Sequence, residues 1–271
     1  MYFDTHAHYE NKRFNEDRDE LLRSMAGVGV SLILNAGCSL KSSKFGLGLA
    51  DAYPFVYASV GVHPHDSKEM TDDTVLELET LLAHPKAVAV GEIGLDFHYD
   101  FSPRDVQRKR FREQLELARR VDKPVIVHMR EATSETLDTI RDYPDLTGVF
   151  HCFPGSWETA KILLDLGWHL SYTGVITFKN ARKALEVIEK MPRDRLLLET
   201  DCPYMAPEPM RGRRNSSLFL PYIAEKVADI WGIAAEEAAA ITMENGKRLF
   251  AVCGPQIRNS EFGIEDVGYG T

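Results

Sequence analysis

The residues of this chain best suited to chemistry are histidines and acids that follow short apolar runs. His6 and His8 come after Tyr2-Phe3, and on a strand the period of two sets both imidazoles on one face. Two neutral imidazoles held by one rigid strand make half of a metal site. Further along, Glu92 follows Ala87-Val-Ala-Val-Gly91, His128 follows Pro124-Val-Ile-Val127, His151 follows Thr147-Gly-Val-Phe150, and Asp201 follows Arg195-Leu-Leu-Leu-Glu-Thr200. Each alone has a plain structural explanation, a satisfied core histidine or a helix-capping acid. Six ligand-type residues at corresponding places in five units are hard to produce by independent structural needs. Four imidazoles and two carboxylates exceed one tetrahedral ion. They suit two cations about 3.5–4 Å apart that share a carboxylate.

Groups so distant in the chain meet only if the fold gathers the ends of several strands. The apolar runs read as strands buried on both faces, and amphipathic stretches of helical spacing lie between them. Eight such units in 271 residues predict a closed (β/α)8 barrel, a single-domain TIM barrel over residues 1–253 with a polar tail at 254–271. A barrel places the C-terminal strand ends on one rim, where barrel active sites sit. No Gly-x-Gly-x-x-Gly follows the first strand, so a dinucleotide fold lacks its fingerprint. The fourth strand is expected to end at Glu92 in a glycine-punctuated turn. Ser102 is expected to cap the next helix, with Pro103 at its first position. Asp4 and Glu199, each two residues before a ligand, are expected one layer deeper on the same face, bonded to the ligands or filling a polar layer.

Composition fits this reading. The chain is 44% hydrophobic and 27% charged, and carries a formal charge of −9, which argues against coating nucleic acid by bulk electrostatics. It leaves room for an enzyme whose metals and local arginines take up phosphate. The cysteines at 38, 152, 202 and 253 have no Cys-x-x-Cys spacing and read as small buried hydrophobes. No apolar run approaches the roughly 20 residues of a membrane span, and no secretory leader is evident, so a cytoplasmic location is expected.

Taken together, Phe3-Asp-Thr-His-Ala-His8, Gly61-Val-His-Pro-His65, Gly91-Glu-Ile-Gly-Leu-Asp-Phe97, Val127-His-Met-Arg130, His151-Cys-Phe153 and Glu199-Thr-Asp-Cys-Pro-Tyr204 resemble the successive signatures of the TatD family of metal-dependent deoxyribonucleases. The likeness runs from Met1 to about Phe250. It implies a barrel of the amidohydrolase superfamily that hydrolyses phosphodiester bonds in DNA, commonly from a 3′ end. Residue by residue, it implies that His6, His8 and Asp201 hold one divalent cation, that Glu92 bridges, and that His128 and His151 hold the second. His63 matches a position that touches the attacking water or the substrate phosphate, and Asp201 would also orient or deprotonate that water.

The cations expected are Zn, Mn, Mg, Co or Fe, since mixed nitrogen and oxygen ligands accept all of them. DNA, or RNA, is the expected substrate, with no membrane and no obligate protein partner. Arg130, Arg211, Arg213, Arg214 and Asn215 are candidates for substrate contacts, and Tyr204 for stacking. Ser216 and Ser217 depart from the family pattern, which often has an acid and a proline there. Two rivals are a dinuclear hydrolase of another ester or amide and a non-catalytic nucleic-acid-binding protein on the same fold. Glu92 at the position where many such hydrolases carry a carbamylated lysine disfavours the first. The intact ligand set disfavours the second.

Overall fold

The eight apolar runs form eight parallel strands: β1 (Tyr2–Ala7), β2 (Val30–Asn35), β3 (Val56–Val60), β4 (Ala87–Asp96), β5 (Val125–Arg130), β6 (Gly148–Phe150), β7 (His169–Tyr172) and β8 (Leu196–Leu198). They belong to a computed structural model whose described residues are 1–253; the tail expected at 254–271 lies outside them. Each strand pairs with the next in chain order. The seam is drawn together where Ala7 bridges to Cys202, Asp201 N donates to His6 O (2.9 Å) and His8 N donates to Cys202 O (2.9 Å). The fold is the expected single-domain (β/α)8 barrel.

Seven helices connect the strands: α1 (Arg18–Arg23), α2 (Leu40–Ala52), α3 (Asp72–Leu82), α4 (Arg104–Val121), α5 (Thr133–Arg141), α6 (Trp157–Asp165) and α7 (Arg182–Lys190), while α8 (Leu220–Trp231) and α9 (Ala235–Phe250) follow β8. Local chemistry sets their starts. Ser39 and Thr71 accept from Ser42 N and Thr74 N in reciprocal capping boxes that open α2 and α3. The start of α4 differs from expectation, because Pro103 occupies the cap position. Ser102 is drawn away from the helix: its hydroxyl donates to His65 O (2.7 Å) and accepts from Lys68 N (3.1 Å). Among the described residues no helix is long and apolar enough to cross a membrane.

β4 also departs from expectation. It runs past Glu92 to Asp96, and Asp96 pairs with Arg130 of β5. The glycine that reads as a turn in the sequence lets the strand continue, because Gly94 adopts φ +146° against the backbone of His128.

Val88, Ile126, Val149 and Leu197 precede Glu92, His128, His151 and Asp201 by even spacings, so they line the barrel interior below the rim. They join Phe3, Leu32 and Leu34 in one buried cluster, sealed by Met243, Phe250 and Val252. His169 sits in register with Val149 and is 4% exposed, with both ring nitrogens lacking partners among the described residues. Burial, helped by Arg195 and Arg248, lowers its pKa to about 4. Its neutral form therefore stabilises the fold above the unfolded pKa of 6.5, and that contribution is lost as pH falls toward 4. We expect a loss of about 2 kcal/mol between pH 7.5 and pH 5 that is absent from His169→Leu. Urea unfolding at both pH values checks this, and parallel losses in the two proteins would refute it.

Candidate metal centre

Glu92 stands at the middle of the rim, and its two oxygens divide the histidines between them. Oε2 lies 3.2 Å from His6 Nε2 and 3.8 Å from His8 Nε2. Oε1 lies 2.8 Å from both His128 Nδ1 and His151 Nε2, and 3.3 Å from His63 Nε2. Asp201 Oδ1 completes the first side, 3.2 Å from His8 Nε2 and 3.8 Å from His6 Nε2. The rim thus brings together every ligand-type residue expected from the sequence, and it sets His63 as close to Glu92 as they are.

The donor set suits a divalent cation on each side. Tetrahedral ligands with bonds of about 2.0–2.2 Å lie roughly 3.4 Å apart. His6 Nε2 and His8 Nε2 are 3.1 Å apart, as are His128 Nδ1 and His151 Nε2. Two metal-capable triples, His6–His8–Glu92 and His63–Glu92–His128, share the Glu92 carboxylate. Among the described residues no lysine or arginine pairs with Glu92 or Asp201.

Electrostatics favour ionised acids here. Burial alone would raise the Glu92 carboxyl, but the imidazoles of His151, His63, His6 and His128 hold it well below the usual carboxylate range. Asp201 is likewise lowered against burial, chiefly by His8. His63 is pushed down to about 4 by burial, only partly offset by Glu92, so its ring is neutral at physiological pH. Against the same burial penalty, His8 is raised by Cys38, Glu10 and Asp201, and His151 by Glu92 and Glu199.

Further acids lie behind these imidazoles. Glu10 lies 3.2 Å from His8 Nδ1 and accepts from Asn35 Nδ2 (3.0 Å). Glu199 lies 3.6 Å from His151 Nδ1, beyond hydrogen-bond distance, and accepts from Cys152 N and Ser171 Oγ, both at 2.6 Å. A register shift between Asp4 and Ala7 breaks the simple alternation along β1. The Asp4 carboxylate accepts from Thr200 N (2.9 Å), Thr200 Oγ1 (2.6 Å) and Ser217 Oγ (2.6 Å), and reaches no ligand ring.

Sequence reasoning missed Asp96, whose Oδ2 lies 3.2 Å from His128 Nε2 and 2.9 Å from His65 Nε2. Its signal was its place in the Gly91–Phe97 motif. Three cysteines also differ from expectation, of which Cys253 is simply exposed. The Cys38 thiol lies 3.8 Å from His8 Nδ1 and 3.7 Å from Glu92 Oε2, and Cys152, at φ +43°, turns to the cleft and not into the core. Cys202 is fully buried as expected.

The centre opens into a cleft of about 970 Å³ whose walls include Tyr99, Phe101, Arg130 and Tyr204. Of the expected substrate contacts, then, Arg130 and Tyr204 face the cleft. The others do not line it. Arg211 lies over the Phe178 ring (4.3 Å) and 3.9 Å from Glu208, and Arg213 is exposed beside it. Arg214 is committed to Asp17, with Nη1 donating to Oδ1 at 2.8 Å. Asn215 is buried and donates to Thr200 O (2.8 Å) and Tyr204 O (2.6 Å), so it anchors the loop.

Known proteins resemble this chain along nearly its whole length. Residues 3–251 match the family described as TatD related DNase. An uncharacterized metal-dependent hydrolase of Bacillus subtilis, YabD, is 40% identical over 93% of this chain and all of its own. A 3′-5′ ssDNA/RNA exonuclease TatD of Erwinia tasmaniensis is 37% identical over 92% of this chain and 99% of its own. The crystal structure of the Escherichia coli TatD homologue YJJV superposes with a TM-score of 0.87 at 32% identity, covering 93% of this chain and 98% of that one. With a rim of imidazoles and acids on a barrel and relatives matched along nearly their whole length, the chain belongs to the TatD-related DNase family of metal-dependent hydrolases.

Proposed function

We propose that this protein is a two-metal phosphodiesterase that removes nucleotides from the 3′ end of single-stranded DNA, and of RNA. The observation that carries the reading is the division of histidines about Glu92, with His6 and His8 on one oxygen and His63, His128 and His151 on the other. Relatives from Erwinia tasmaniensis, Citrobacter rodentium and Cronobacter turicensis bear the name of a 3′-5′ ssDNA/RNA exonuclease.

His6, His8 and Asp201 would hold one divalent cation and His128 and His151 the other, with Glu92 common to both. Such cations supply Lewis acidity toward a phosphoryl oxygen and lower the pKa of water. The chain's own groups do the rest. Asp201, held ionised, orients the attacking water and takes its proton. His63, neutral and 3.3 Å from Glu92, faces the same space and positions the phosphate or the water. Arg130 is exposed on the cleft wall, and no ion pair of its guanidinium is found among the described residues, so it is free to meet a phosphate. With a net charge of −9, such local contacts are needed to bring a polyanion in.

Digestion of end-labelled single-stranded and duplex oligonucleotides, with Zn, Mn, Mg, Co or Fe supplied in turn, tests the proposal. A 5′-labelled single strand should shorten stepwise, and the metal content should reach two per chain. Intact oligonucleotides beside rapid hydrolysis of a lactone or phosphotriester would transfer the centre to another bond.

A further inference from the structure

We infer that Tyr99 and Phe101 form a stacking platform for a nucleobase beside the bond being cut; this rests on the nucleic-acid reading above. The two rings stack with centroids 5.1 Å apart and planes 13° from parallel. Both line the cleft that holds Glu92 and His63, yet Tyr99 is 47% and Phe101 55% exposed. Leaving such rings in water forgoes the stabilisation that burial gives them, so their exposure at this spot calls for a partner. Among the described residues no second ring stacks on Phe101, which leaves a flat apolar surface for a base. Every base has a π face, so such a surface serves any sequence. Arg130 lies over Tyr99 at 4.7 Å and adds a cation beside the platform for a flanking phosphate.

The platform is tied to the metal centre. Asp96 Oδ1 accepts from Tyr99 N (2.9 Å) and His98 N (3.0 Å), while its Oδ2 meets His128 and His65. One buried carboxylate thereby fixes both a ligand ring and the backbone that carries the platform. The His65 ring stands edge-on to Phe101 (4.8 Å) and Tyr99 (5.5 Å), and 4.2 Å from the His63 ring. A base on the platform is therefore held one side chain away from the group placed to meet the phosphate.

The test uses the metal-loaded protein, wild type and with Tyr99→Ala and Phe101→Ala combined. The probes are a single-stranded oligonucleotide, the same strand with abasic residues at its 3′ end, and a 3′-phosphorothioate version for binding by fluorescence anisotropy. In the double variant Kd and KM should rise roughly 10- to 100-fold. The abasic strand should impose a similar penalty on the wild type and less than about twofold on the variant, because the stack is already gone. Tyr99→Trp with Phe101→Tyr should restore wild-type KM. Oligonucleotide cleavage with KM unaltered in the variant overturns the platform and leaves the nuclease reading standing. Wild-type binding that depends on both rings, without cleavage, upholds the platform and overturns the nuclease reading. A strand neither bound nor cut overturns both.

Discussion

Glu92→Gln should lower phosphodiester turnover roughly 10³-fold or more, which is about 4 kcal/mol of transition-state stabilisation. The amide keeps the size of the carboxylate, so packing at this buried position is retained. What it loses is the charge and one oxygen acceptor. In the wild type, Oε2 serves His6 and His8 while Oε1 serves His63, His128 and His151. An amide can present oxygen to one group of imidazoles only, and its NH2 then faces the other group and cannot ligate a metal. One side of the centre therefore loses its common ligand whichever way the amide turns. Metal analysis should show at most one firmly held cation per chain, and kcat should fall with it. A variant that keeps two metals and more than a tenth of the activity would show that Glu92 does not bridge.

The largest stability effect is expected at Gly94. Its φ of +146° is a conformation side chains rarely adopt, and a Cβ there would overlap the carbonyl oxygen of His128. Gly94→Ala must push β4 away from β5 at the point where Glu92 and His128 face each other. Strain and lost pairing together should cost more than about 4 kcal/mol. Gly48→Ala is the contrast: it lies in α2, where an added methyl would have nothing within 4 Å, so it should be neutral or stabilising by about 0.5–1 kcal/mol. Urea unfolding of the two variants decides the matter, and equal midpoints would refute the steric account.

The cluster of imidazoles and acids on the rim was legible in the sequence because its members obey local rules. Each ligand-type residue follows an apolar run, and strand periodicity with barrel topology carries all of them to one rim. What stayed hidden depends on contacts that no local rule encodes. Ser217, which looks like a departure from the family pattern, donates to Asp4 and shares a hydrogen bond with Tyr9 OH (2.8 Å) across more than two hundred residues. Arg214 resembles a phosphate ligand until its partner Asp17, 197 residues away, is in place. Asp96 escaped notice because glycine before it suggests a turn, whereas the backbone freedom of Gly94 keeps the strand going.

The seam of the barrel also bears on how the protein is made. His6 and His8 come from its first strand, and Asp201 follows its last. During synthesis the early histidines leave the ribosome long before their acidic counterpart, so a stalled or prematurely ended chain carries an unfinished centre. A chain that stops before β8 lacks Asp201, and with it the acid that faces His6 and His8 across the seam.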